Sequence, residues 1–255
     1  MDGRVVLSKL EHLPTLDSFS VWLSRTDVAW VGGFDLPFGL PRELVQALGW
    51  PTDWAACLDH YQQLSRPAIR AHFKAFCDAR PVGHKFAHRA TDRPAGSSPS
   101  MKWVNPPVAY MLHAGVPRLR AAGVHLPGVM PHHPGAQRVA LEAYPGLLAR
   151  EVLGRRSYKS DDRARQTPER QAARAELVAA LEAGRHAGAA LRLGLRLDIS
   201  AAQRATLVED ASGDSLDAVL CLLQAAWALH QHQQGAPLYG LPPDMDVLEG
   251  WIVGA

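Results

Sequence analysis

The stretch that most constrains this chain is Val28-Ala-Trp-Val-Gly-Gly-Phe-Asp-Leu-Pro-Phe-Gly-Leu-Pro41. An apolar, β-branched run climbs to one carboxylate, Asp35. Pro37, Gly39 and Pro41 then stop any regular element. The pattern predicts a buried strand that delivers Asp35 to its C-terminal end. Open α/β sheets build ligand sites outside the carboxyl ends of their strands. A charge placed there is costly unless a cation or a hydrogen-bonding loop meets it. The plain structural reading is that Asp35 caps the following turn.

A second run repeats the design. Arg138-Val-Ala-Leu-Glu-Ala-Tyr-Pro145 is an apolar stretch with Glu142 near its end and a Pro-Gly stop. Upstream, residues 4–10 (RVVLSKL) read as a strand. Pro14-Thr15 opens a helix with Leu16, Phe19, Trp22 and Leu23 on one face. Strand, helix, strand in that order suggests a parallel crossover.

Helical patterns follow over 42–48, 54–64 and 67–79, where Trp50, Trp54, Phe73 and Phe76 read as core bulk. A base-stacking role for those rings would require their exposure. Residues 80–107 lose periodicity and are rich in Gly, Ser and Pro, with Arg80, Lys85, Arg89, Arg93 and Lys102 giving positive charge. Loops this long in a compact domain are usually functional or disordered. A phosphate-contacting loop is one expectation, with Lys85 and Arg89 as substrate contacts, and a solvated loop is the other. His84 and His88 are spaced i, i+4, as metal ligands on a helix would be, but no third ligand is evident.

Residues 108–122 are weakly helical, and 125–134 read as a linker. Helices are predicted over 147–153 and 168–183, with Lys159, Arg163 and Arg165 forming a basic cluster between them. A short helix over 198–210 precedes the strongest one, 213–229. Asp214 and Asp217 lie on one face of its first turn. Asp214 suits a helix cap. Asp217 is flanked by Leu216, Val219 and Leu220 and so reads as a buried acid awaiting a partner. The tail, 248–253, is expected to add a short strand or to pack on that helix.

With 255 residues, 47% of them hydrophobic, the chain can bury a substantial core, and a single domain over 1–255 is expected. The net charge of +2 excludes a global basic field, so a polyanion would have to meet a local patch. Cys57, Cys77 and Cys221 form no CxxC pair, which argues against a zinc ribbon and for a reducing, cytoplasmic setting. The longest apolar run, 216–229, is interrupted by Asp217 and Gln224 and is too short to span a bilayer, and no leader pattern opens the chain.

If the two strands are neighbours and the acidic helix docks across their ends, Asp35, Glu142, Asp214 and Asp217 converge. Such a cluster repels itself unless it holds hard divalent cations. Two ions roughly 3.5–4 Å apart would clamp the attacking and leaving oxygens of a phosphodiester.

Phe34-Asp-Leu-Pro-Phe-Gly-Leu-Pro41, Glu142-Ala-Tyr-Pro145, Tyr158-Lys-Ser160 and Gly213-Asp-Ser-Leu-Asp-Ala218 resemble the motif blocks of the domain-of-unknown-function 429 family, described as predicted RNase H-like nucleases. The resemblance runs from about residue 3 to 255. It implies an RNase H-like α/β fold: a mixed sheet flanked by helices, its first three strands antiparallel. Asp35 would end the fourth strand and Glu142 the fifth, and residues 4–10 would be the second or third. Asp214 and Asp217 would open the last helix, and about 42–137 would be a helical insertion. The family pattern begins with a strand carrying Gly-x-Asp, and Asp2-Gly3 does not match it, so the first strand is expected to be missing.

The implied function is a Mg²⁺- or Mn²⁺-dependent nuclease acting on DNA or RNA. Its catalytic residues would be Asp35, Glu142, Asp214 and Asp217, with Asp35, Glu142 and Asp217 as metal ligands. Lys85, Arg89 and Lys159 would contact phosphate. The alternatives are a catalytically inactive binding protein on the same fold, a truncated product, and an actin-like phosphotransferase. The last needs glycine-rich phosphate loops, whereas Gly32-Gly33 reads as a packing feature.

Overall fold

The computed structural model describes residues 3–186, 189–190 and 192–255. A short strand, β1 (Arg4–Val6), leads to α1 (Leu16–Leu23) and then β2 (Trp30–Phe34). Thr15 caps α1 in a reciprocal arrangement with Ser18. Four helices follow: α2 (Arg42–Ala47), α3 (Trp54–Gln63), α4 (Arg66–Asp78) and the single turn α5 (Asp92–Ala95). Asp53 caps α3 and Ser65 caps α4, which carries a proline in its first turn. Next come α6 (Val108–Ala121), β3 (Arg138–Glu142), α7 (Pro145–Leu153) and α8 (Pro168–Ala183). The chain closes with β4 (Arg185–His186), β5 (Ala189–Ala190), β6 (Arg196–Asp198), α9 (Ala201–Glu209) and α10 (Asp214–Gln233). No described helix is long and apolar enough to cross a membrane.

The architecture is α/β. Among the described residues, however, the strands form three separate two-stranded ladders instead of one mixed sheet. β1 pairs in parallel with β6, β2 in parallel with β3, and β4 antiparallel with β5. The strand over 4–10 is thus shorter than expected, and it meets the late strand β6. On its far side β3 takes a single bridge from His125. The stretch 125–134 is therefore more than a linker: Val124, His125 and Leu126 are buried beneath β3.

β2 and β3 run in register from Trp30↔Arg138 to Phe34↔Glu142, so Asp35 follows directly where Glu142 ends. α10 lies across β2. Gly33 makes that possible, because a Cβ there would stand 2.5 Å from the Cys221 carbonyl oxygen. The Gly32-Gly33 pair is the packing feature the sequence suggested.

Two apolar centres flank this unit. The larger joins α2, α3, α4 and α6 to β3 through Leu44, Tyr61, Phe73, Leu112 and Leu141. The helices after Pro41 thus share one core with the strand that carries Glu142. Trp50, Trp54, Phe73 and Phe76 are buried within it, which rules out base stacking by them. The smaller centre joins α7 to α10 through Leu148, Leu177, Leu181 and Leu220.

Candidate functional site

The loop after β2 is held at several points. Trp54 Nε1 donates to the Phe38 carbonyl at 2.8 Å, and the Phe38 N–H donates to Glu142 Oε2 at 2.9 Å. At the end of the loop the Arg42 N–H donates to Glu249 Oε1 at 2.8 Å. The backbone around Asp35 is pinned while its side chain opens onto a cleft.

Glu142 lines the same cleft but is engaged by Arg89. It is 3% exposed, and Arg89 reaches both its oxygens, Nη1 to Oε2 at 2.8 Å and Nη2 to Oε1 at 2.6 Å. Arg89 is itself buried and also bonds Asp92 Oδ1 through Nε and Nη2 and the Glu249 carbonyl through Nη1. Burial pushes the Glu142 carboxyl up, and the guanidinium with its hydrogen bonds pulls it back. Arg89 loses stability as a cation through burial, but Glu142 and Asp92 more than restore it and raise its pKa. Four short bonds join the guanidinium to the two carboxyl groups. Arg89, expected on a phosphate, is a buried tie between the end of β3, the loop at Asp92 and the C-terminal segment.

Asp217 sits in the first turn of α10, 7% exposed. Its missing partners are Tyr158 and Lys159. The Tyr158 hydroxyl donates to Oδ1 at 2.5 Å, and the Lys159 ammonium bonds Oδ2. Burial raises the Asp217 carboxyl, opposed by Lys159 and Tyr158. The buried Arg174 fixes the segment by donating to the Tyr158 carbonyl at 2.7 Å. Gly213 admits it: a Cβ at this left-handed position (φ 78°) would meet Lys159 Cβ at 2.6 Å.

Asp214 is exposed, and it is not the cap. Asp210 does that work, accepting from the N–H groups of Ser212, Gly213 and Ser215. Its carboxylate satisfies donors that the helix start leaves open.

Unlike Glu142 and Asp217, the Asp35 carboxyl takes no hydrogen bond or ion pair among the described residues. The residue opens to the cleft, yet the walls strip enough water from its carboxyl to push it up to about 7. Asp217, Glu142 and Asp214 add to the rise, and Lys159 opposes it.

The cleft has two lobes that share Asp35, Tyr144 and Lys159. One, of about 240 Å³, has walls from Leu36, Val108, Met111 and Ile252, with Ser97, Ser98 and the paired Arg89 and Glu142 also lining it. The other, of about 250 Å³, carries Arg150, Arg155, Arg156 and Asp217. Tyr144 is set between them by Gln224 of α10, which accepts from its N–H at 2.8 Å and donates to its carbonyl at 3.2 Å.

Lys85 is outside this cleft, at the end of α4, where its charge acts on Asp78 and Cys77. His84 and His88 are exposed on irregular backbone, so the helical spacing has no meaning there.

Asp35, Asp217 and Lys159 therefore meet, Asp214 lies at their rim, and Glu142 is engaged by Arg89. Tyr158, Tyr144, Asp210 and Gln224 were not singled out as site residues in the sequence. Tyr158 had a signal, because a buried acid on α10 required a donor and Tyr158-Lys159 is a polar pair between two helices. Gln224 had one too, as the lone amide on a buried helix face.

For a divalent ion, Glu142 does not fit, since its oxygens are occupied. Asp35 fits by its unmatched charge, and Asp217 fits if it shares that charge with Lys159. Among the described residues no three His, Cys, Asp or Glu side chains group to hold a metal. Two carboxylates suit Mg²⁺, which keeps several waters and takes further oxygens from substrate phosphates.

No curated protein and no solved structure matches the chain. Residues 2–243 match the family described as Protein of unknown function (DUF429), and the chain belongs to that family.

Proposed function

We propose that the chain hydrolyses phosphodiester bonds of nucleic acid with the help of Mg²⁺ or Mn²⁺, on an RNase H-like arrangement. The architecture is supported by the parallel pair β2–β3 with an acid at each strand end and α10 across it. The observation that carries the reaction is the meeting of Asp35, Asp217 and Lys159 between an apolar lobe and an arginine-lined one. The three free, buried cysteines accord with a reducing, cytoplasmic setting.

A bound divalent ion would polarise the phosphoryl group and lower the pKa of the attacking water. Asp35 and Asp217 would hold that ion. Lys159 stands beside Asp217 and stabilises charge that develops on a non-bridging phosphoryl oxygen. Arg150 and Arg155 bind the flanking phosphate. Tyr158 orients the Asp217 carboxylate, and Glu142 with Arg89 fixes the end of β3.

The test is Asp217→Asn. Cleavage of single-stranded DNA or RNA in Mn²⁺ should fall at least about 100-fold, with circular dichroism and the melting temperature retained. Native-rate cleavage by that variant would end the proposal.

One observation favours a second reading, a binding protein without catalysis. Glu142 and Asp217 already carry cations supplied by the chain itself. Mn²⁺ calorimetry separates the two: a binding module shows no heat that depends on Asp35.

A further inference from the structure

The two lobes of the cleft differ in chemistry, and they adjoin at Asp35, Tyr144 and Lys159. The lobes adjoin at shared residues, so a phosphate bound in the arginine-lined lobe can present one attached group to the other lobe. Leu36, Val108, Met111 and Ile252 offer that group apolar walls, and the Ser97 and Ser98 hydroxyls offer edge contacts. Ser97 already donates to Asp92 Oδ1 at 3.1 Å, which ties this edge to the buried Arg89 cluster. The lobe has a volume of about 240 Å³. A ring system the size of one base can enter a lobe of that size.

We propose that the apolar lobe is a nucleobase subsite, so that the substrate is a single strand whose base leaves the stack to enter it. The proposal rests on the phosphodiesterase reading and deepens it. Pockets of this kind read an unstacked base through apolar walls and a few polar edge groups. A base held in a duplex cannot reach the lobe while its phosphate lies against Lys159. The arginines of the neighbouring lobe supply the matching charge for the backbone.

Calorimetry with thymidine 5′-monophosphate, deoxyadenosine 5′-monophosphate and 2-deoxyribose 5-phosphate tests this without any need for turnover. At least one nucleotide should bind about tenfold or more tightly than the base-free sugar phosphate. Met111→Trp, on α6, and Ser98→Phe, on the loop, each fill the lobe and should reduce the nucleotide's affinity to that of the sugar phosphate. The loop variant keeps the test valid if the helix variant misfolds. Equal binding of all three ligands, no binding of any, or a preference that survives both substitutions would overturn the subsite.

A single-stranded oligonucleotide carrying one abasic position separates this outcome from that of the proposed reaction. Cleavage at the abasic and intact positions at one rate would reject the subsite and keep the hydrolase. A base preference in binding without any cleavage would keep the subsite and reject the hydrolase.

Discussion

The Lys159 ammonium is bonded to Asp217, whereas among the described residues no cation is bonded to Asp35 in the same cleft. The two acids are therefore unequal before any ligand arrives. Asp217 has its charge matched from within the chain. Asp35 keeps an unmatched one, and that asymmetry makes Asp35 the group through which pH and metal ions should act.

The Asp35 carboxyl rises to about 7 in the folded chain and returns to its ordinary value of 3.8 on unfolding. Between those values the folded state binds the extra proton, so this group's contribution to stability falls as pH climbs from about 4 through 7. Asp35→Asn should then melt above the native chain at pH 8, with the gap closing as pH falls toward 4. Thermal unfolding across that range checks the sign. Millimolar Mg²⁺ should narrow the gap at pH 8 by stabilising the ionised carboxylate of the native chain.

Arg89→Met removes the cation that Glu142 and Asp92 share in the interior. Leaving buried carboxylates uncompensated costs about 3–5 kcal/mol. Urea unfolding of the variant should show a loss of that size. A small change would mean that Glu142 does not depend on Arg89 and remains free for other ligands.

Gly33→Ala drives a methyl group toward the Cys221 carbonyl, and backbone cannot step aside as a side chain can. Overpacking of this kind costs about 1–3 kcal/mol. Because α10 carries Asp217, the displacement should also lower activity more than it lowers stability. Melting and cleavage assays on one preparation compare the two losses.

Asp214→Asn contrasts with the change at Asp217. Asp214 is exposed at the start of α10, where an acid gains about 0.3–1 kcal/mol from the helix dipole. Its loss should cost no more than that and reduce cleavage by less than about tenfold. Equal inactivation by Asp214→Asn and Asp217→Asn would make Asp214 a direct ligand.

Much of the scaffold was legible along the chain. The apolar runs before Asp35 and Glu142, and the helix starts at Thr15 and Ser200, mark elements through local sterics and hydrogen bonding that need no distant partner. Asp217 was legible for another reason, since an acid among leucines on a long helix requires a donor. The pairing of β1 with β6 was not, because a three-residue ladder joining residues about 190 apart leaves no periodic trace. Nor was the fate of Arg89. A basic residue in a Gly- and Ser-rich loop looks solvated until the loop is seen folding under Glu142 and Glu249.

The sequence by itself determined which acids end strands and which opens a buried helix, because burial and backbone propensity are local and recur with a fixed period. Only the tertiary structure decided which cation each acid meets: Arg89 for Glu142, Lys159 for Asp217, none among the described residues for Asp35. Pairing of charges depends on distances between segments far apart in the chain, and Coulomb forces answer to those distances, not to sequence order.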